Sequence, residues 1–133
     1  MLIHDDTLDR TTSGSGLVCD HTFDEITNLD AGYFFYKSKS TARVPSLNKV
    51  LELITNKNKS INIELKPNKG LERLNVDKIV EEIKNFSLEN IFFSSFDLES
   101  CIYLKEKLPA ALCGFLNDDF SKITLKDTTD ICK

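Results

Sequence analysis

Between Ser46 and Leu116 the apolar residues change their spacing in a regular way, and that alternation limits the chain to few folds. Leu47, Val50, Leu51 and Ile54 recur at helical intervals behind Ser46, a predicted N-cap. Ser60 to Leu65 then alternates, with Ile61, Ile63 and Leu65 on one side and Asn62 and Glu64 on the other, until Pro67 ends the run. Val76, Ile79, Val80 and Ile83 form a second helical stripe, and Ile91-Phe92-Phe93 reads as a buried strand. After a break at Ser94-Ser95-Phe96-Asp97, Leu98, Cys101, Leu104 and Leu108 make a third stripe. Pro109 ends it, and Ala111 to Leu116 is a further strand candidate. Helix and strand in alternation predict βαβ units, so the fold class is α/β with a parallel sheet.

The first third of the chain is less periodic. Met1 to Ile3 reads as a strand stub, expected to lie parallel and adjacent to the strands near Ile63, Phe92 and Cys113. Thr7 to Gly16 is rich in turn formers whose side chains bond locally to the backbone, and is expected to be a loop. Thr22-Phe23-Asp24-Glu25 has capping-box spacing, which predicts a short helix to about Leu29, stopped by Asp30-Ala31-Gly32. Tyr33 to Arg43 joins four consecutive aromatics to a basic run and is read as a loop, packed at its aromatic end and solvated at the other. Residues 117–133 open a further helix pattern near Asp118 and then lose their period.

Seventeen lysines and arginines against 21 aspartates and glutamates give a formal charge of −4, which argues against nucleic acid as the main partner. No apolar run approaches the ~20 residues of a membrane helix. The N-terminus lacks the basic, apolar and small-residue segments of a secretory signal, so a cytoplasmic location is expected. Cys19, Cys101, Cys113 and Cys132 form no C-x-x-C pair and are read as free, buried thiols.

In parallel α/β folds functional groups gather where strands end. His4 follows the strand stub, Glu64 and Lys66 close the Ile61–Leu65 strand, and Ser95 and Phe96 follow Ile91–Phe93. His4, Glu64 and Lys66 are therefore expected at one end of the sheet, with Glu64 facing away from the helices. Histidine exchanges a proton near neutrality, glutamate is a hard oxygen ligand and lysine a point charge for phosphate. Each also has an ordinary reading. A single histidine is usually a surface residue, Glu64 with Lys66 makes a solvated ion pair, and the Ser-Ser-Phe-Asp run makes a helix cap. Gly14 and Gly16 are turn glycines, since no phosphate-loop lysine follows them. His21, Lys57 and Lys59 are read as solvated loop residues.

The motifs taken together carry more. His4-Asp5-Asp6-Thr7-Leu8-Asp9-Arg10-Thr11-Thr12, Gly14 and Gly16, Val44-Pro45-Ser46-Leu47 with Val50-Leu51, Asn62-Ile63-Glu64-Leu65-Lys66-Pro67 and Ser94-Ser95-Phe96-Asp97 occur in that order. The series resembles the glycerophosphodiester phosphodiesterase family from His4 to about Leu116. The resemblance implies a TIM (β/α)8 barrel, here partial, with residues 9–44 as a small insertion after the first strand. It implies metal-dependent hydrolysis of a glycerophosphodiester substrate to an alcohol and glycerol 3-phosphate. His4 would be one of two catalytic histidines, Glu64 a ligand to a divalent cation, Mg²⁺ or Ca²⁺, and Lys66 a contact to the substrate phosphate. Asp5 could orient or solvate the site but is read chiefly as a turn aspartate, and Arg10 as a loop anchor through an ion pair.

In the family pattern a second histidine and two further acidic ligands precede the His-Asp segment, and closing strands follow the last segment matched here. A whole barrel takes about 250 residues and this chain has 133, so the expectation is a fragment lacking the N-terminal part and the closing strands. Such a fragment is expected to be weakly active or inactive alone, and its open sheet edges to favour self-association or pairing with a complementary chain. The alternative is a non-catalytic remnant or interaction module of the same fold.

Overall fold

A computed structural model of the chain describes residues 1–118. They fall into two compact units, one over Met1–Leu53 and one from Ile54 onward. The helix start expected near Asp118 runs into residues outside those described, as does Cys132.

The second unit holds a three-stranded sheet of β1 (Ile61–Glu64), β2 (Ile91–Ser95) and β3 (Leu112–Phe115), in that order and parallel throughout. Ile63 pairs with Phe93, and Phe93 with Cys113. Parallel neighbours need long crossovers, and helices make both. In chain order the helices are α1 (Phe23–Thr27), α2 (Tyr33–Tyr36), α3 (Leu47–Lys57), α4 (Glu72–Ile83) and α5 (Leu98–Lys107). Of these, α4 joins β1 to β2 and α5 joins β2 to β3.

The alternation read in the sequence holds in space. Ile63, Leu65 and Phe93 on the sheet and Val76, Ile83, Cys101 and Leu104 on the helices are all buried. Burying one such large side chain is worth about 1.5–3 kcal/mol. Asp97 caps α5, its carboxylate accepting from the Ser100 N–H at 2.7 Å and the Ser100 hydroxyl at 2.6 Å. At the other end Lys105 Nζ donates to the carbonyls of Pro109, at 2.7 Å, and Ala111, at 2.9 Å, which fixes the turn into β3. On the outer surface α4 and α5 are tied by Tyr103, whose hydroxyl donates to Asp77 at 3.1 Å and whose ring lies 4.7 Å beneath the Arg73 guanidinium.

In the first unit Leu8, Ile26 and Val44 form a small core with Ile3, Val18, Leu29 and Ala31 against it. The capping box is present: the Thr22 hydroxyl accepts from the Glu25 N–H, and the Glu25 carboxylate accepts from the Thr22 N–H. The helix it starts stops at Thr27 rather than Leu29, because the Asn28 amide group donates to the Asp24 carbonyl at 2.8 Å and closes the last turn. Gly14 sits so close to Leu29 that an added Cβ would come within 2.6 Å of it.

Three expectations are corrected. Met1–Ile3 is not a strand. The Leu2 N–H donates to the Pro45 carbonyl at 3.0 Å, and a strand exists only through a ladder that satisfies its backbone groups. The aromatic end of Tyr33–Arg43 does not pack: Tyr33 to Tyr36 form the one-turn helix α2 and all four rings are exposed. Of the cysteines expected to be buried, Cys101 is, Cys113 is half-buried and Cys19 is exposed, because Cys19 lies on a polar turn outside the small core.

Candidate active site

His4 lies in the first unit, just beyond the short segment that Leu2 anchors to Pro45. Its ring is well exposed, and its Nδ1 is 2.7 Å from Asp5 Oδ1. Asp5 in turn receives both arms of Arg10, Nε at 2.6 Å on Oδ2 and Nη2 at 2.7 Å on Oδ1. The Arg10 guanidinium and then the His4 ring hold the Asp5 carboxyl far below the usual carboxylate range. An ionised carboxylate only accepts, so His4 Nδ1 carries the proton and, in the neutral ring, Nε2 carries the free lone pair. The arrangement fixes the imidazole tautomer and leaves Nε2 available to exchange a proton. Arg10 anchors the loop as expected from the sequence, while Asp5 does more than make a turn. Of the two readings the sequence left for Asp5, orienting the site is the one its contacts match.

In the second unit Glu64 ends β1 on the face opposite Ile63 and Leu65. It is partly exposed, and Lys66 Nζ lies 2.8 Å from its Oε1. Asn62 shares that face and donates from Nδ2 to Ser94 Oγ at 3.0 Å on the neighbouring strand. Asn62 is thus a polar neighbour on the Glu64 face, legible in the same alternation but not singled out by it. Ser95 serves structure: its hydroxyl donates to the Leu65 carbonyl at 2.7 Å and accepts from the Asp97 N–H at 3.0 Å. The exposed Phe96 ring follows it.

The structure therefore brings Glu64 together with Lys66, and His4 together with Asp5 and Arg10. Among the described residues no cluster of three His, Cys, Asp or Glu side chains could hold a metal ion. Mg²⁺ asks for near-octahedral oxygen ligation, and Glu64 offers one carboxylate that already faces an ammonium. These donors suit one ligand of a cation site and do not make a site alone. A recess of about 380 Å³ lies elsewhere, along β3, lined by Phe92, Phe93, Lys105 and Leu112 among others. It includes none of the three candidate residues. No described helix is long and apolar enough to cross a membrane.

Comparison with known proteins places the chain in a family. The sequence matches the Glycerophosphoryl diester phosphodiesterase family over residues 1–127. A glycerophosphodiester phosphodiesterase of Caldanaerobacter subterraneus subsp. tengcongensis is 38% identical over 117 residues, 87% of this chain and 48% of that protein. One of Bacillus altitudinis is 37% identical over 114 residues, 81% of this chain and 45% of that protein. Among solved structures, an Oleispira antarctica phosphodiesterase in complex with the product sn-glycerol-3-phosphate aligns with a TM-score of 0.88 at 28% identity. That alignment covers 97% of this chain and 53% of the other. The chain spans about half the length of the curated relatives it matches. Its parallel strands are accordingly part of a TIM barrel, unclosed among the described residues. On the extent of that match and the order of its motifs, the chain belongs to the glycerophosphoryl diester phosphodiesterase family.

Proposed function

We propose that the chain forms part of a phosphodiesterase that hydrolyses glycerophosphodiesters to an alcohol and glycerol 3-phosphate. The observation that carries the reading is the Arg10–Asp5–His4 relay, which holds one histidine with its tautomer set. His4 Nε2 gives or takes the proton of the departing or attacking oxygen, and Asp5 stabilises the imidazolium that forms. Lys66 carries the charge that holds the substrate phosphate. Glu64 supplies one oxygen to a divalent cation, Mg²⁺ or Ca²⁺, which neutralises phosphate charge when bound. In this reading residues 9–44 are the family's insertion, and the protein works in the cytoplasm. The Oleispira protein's bound sn-glycerol-3-phosphate supports the choice of product.

The second reading, a non-catalytic module, is favoured by the Glu64–Lys66 ion pair and by the lack of a three-ligand cluster among the described residues. Glycerol 3-phosphate release from glycerophosphocholine separates the two. The chain alone is expected to turn over weakly or not at all. A chimera in which it replaces the matched half of the Caldanaerobacter relative is expected to be active and sensitive to chelator. An inactive but folded chimera favours the module.

A further inference from the structure

The surface formed by α2 and the segment after it is unlike the rest of the chain. Tyr33, Phe34, Phe35 and Tyr36 are exposed by 42%, 55%, 84% and 61%. A contiguous aromatic patch of this kind on a protein surface marks an interaction site. It is also held in place. The Asp30 carboxylate accepts from the Gly32 N–H at 2.9 Å, from the Ser40 N–H at 2.5 Å and from the Ser40 hydroxyl, so the chain from 32 to 40 is drawn into a closed loop. Gly32 permits the closure, since a Cβ there would come within 2.5 Å of Ser40 Oγ and 2.9 Å of the Tyr36 ring. Lys37 takes a left-handed backbone, φ 53°, which ends α2 and starts the basic run, whose Lys39 lines one recess with Tyr36. The rings brace one another edge to face, Tyr33 with Phe34 at 5.3 Å and Phe35 with Tyr36 at 5.0 Å.

Charge distinguishes the occupant. The whole chain carries −4, yet between Asp30 and Glu52 there is no acidic residue, while Lys37, Lys39, Arg43 and Lys49 all fall there. Lys37 and Lys39 are exposed and make no ion pair among the described residues. Beside α2 lies an open recess of about 530 Å³ lined by Tyr36, Ser38, Lys39, Ser40, Thr41 and Ala42, where hydroxyls and an ammonium face solvent. Rings that carry both an apolar body and a hydroxyl, set next to unpaired lysines, match the boundary between acyl chains and anionic headgroups. A protein partner would need an acidic surface with a cleft for Phe35, whereas a bilayer accepts the rings without shape matching.

We infer that α2 and the basic segment Lys37–Arg43 form a docking surface for the anionic face of a phospholipid bilayer, with the Phe34 and Phe35 rings entering the headgroup boundary and Lys37 and Lys39 on lipid phosphates. Attachment of this kind uses no group of the candidate active site and is measured without turnover.

Vesicle flotation with the 133-residue chain tests it. One set of vesicles is phosphatidylcholine alone, and the other includes about one-third phosphatidylglycerol, giving a negative surface potential of tens of millivolts. The chain is expected to float with the anionic set only and to be released when salt is raised to about 0.5 M, where screening is short-ranged. Phe35→Ser should lower the partition coefficient roughly tenfold, with the far-ultraviolet spectrum unchanged because the ring is solvated. Lys37→Gln and Lys39→Gln should each cost about fivefold. Leu53→Ser, at another exposed apolar position, should change nothing. The inference is overturned if the chain fails to float with anionic vesicles, or floats equally with both sets regardless of salt. It is also overturned if Phe35→Ser converts a dimer into a monomer, which would give the patch to a second copy.

Discussion

The Asp5 carboxylate sits between His4 Nδ1, 2.7 Å away on Oδ1, and Arg10 Nε, 2.6 Å away on Oδ2. It is both the orienter of the histidine and the anchor of the loop behind it. Folding lowers its pKa, so its ionised form stabilises the fold at pH values above the unfolded value of about 3.9, and that contribution falls away as the pH drops toward the folded value. Comparing urea midpoints of wild type and Asp5→Asn, the wild type should lead above about pH 5 and lose its lead in acid. A lead that grows on acidification would contradict the assigned ion pair.

In the active chimera, His4→Ala is expected to lower kcat by about 10²–10⁴ with unchanged cation affinity. Steady-state rates across a cation titration read both quantities. Asp5→Asn should also lower kcat, because the amide can hold the wrong tautomer. Full turnover by His4→Ala would remove the histidine from the chemistry.

Glu64→Gln in the same chimera should raise the cation concentration needed for half-activity, and excess cation should restore part of the rate. Lys66→Ala should chiefly raise KM for glycerophosphocholine. Both side chains are partly solvated, so either change should alter unfolding free energy by no more than about 1 kcal/mol. A larger destabilisation would mean that the pair serves the fold.

Phe93 and Phe92 are neighbours on β2 that face opposite ways, one 2% and the other 39% exposed. Phe93→Ala should cost about 3–5 kcal/mol in chemical denaturation, and Phe92→Ala well under half of that. Equal losses would show that a second layer covers the Phe92 face.

Among Cys19, Cys101 and Cys113, a thiol reagent with site assignment by mass spectrometry should modify exposed Cys19 first and Cys101 last. The neighbouring Cys113 thiol, with burial, pushes Cys101 up, and Cys101 beside it draws Cys113 down. Cys113 should therefore react between the two. Early labelling of Cys101 in the folded chain would refute the buried placement of α5.

What could be read from the sequence was whatever depends on near neighbours. Ile61 to Leu65 declares a strand and Val76 to Ile83 a helix because side-chain period is a local property, and the structure has both. Thr22 with Glu25 and Asp97 with Ser100 are likewise local, three residues apart. Leu2 and Ile3 misled because a strand is completed by a partner, and three residues cannot say whether one is present. The four rings of α2 misled because hydrophobic residues are presumed inside, whereas the closure by Asp30 and Ser40 depends on a contact ten residues long. The candidate site was legible as His4, Glu64 and Lys66 through motif resemblance. For Asp5 the sequence left a turn and an orienting role open, and only coordinates show Arg10 and His4 meeting on one carboxylate.

The hydroxyl of Ser95 reaches the Leu65 carbonyl across 30 residues of chain. That separation sets a waiting time during synthesis. At a translation rate of about 5–20 residues per second, β1 leaves the ribosome roughly 1.5–6 seconds before the strand that covers its edge. Through that interval Ile63 and Leu65 have no sheet neighbour and no finished helix layer, so the nascent chain presents a short, sticky ribbon. Holdase chaperones act on that kind of exposure, and the yield of folded protein in a cell should depend on them more than the stability of the finished sheet would indicate.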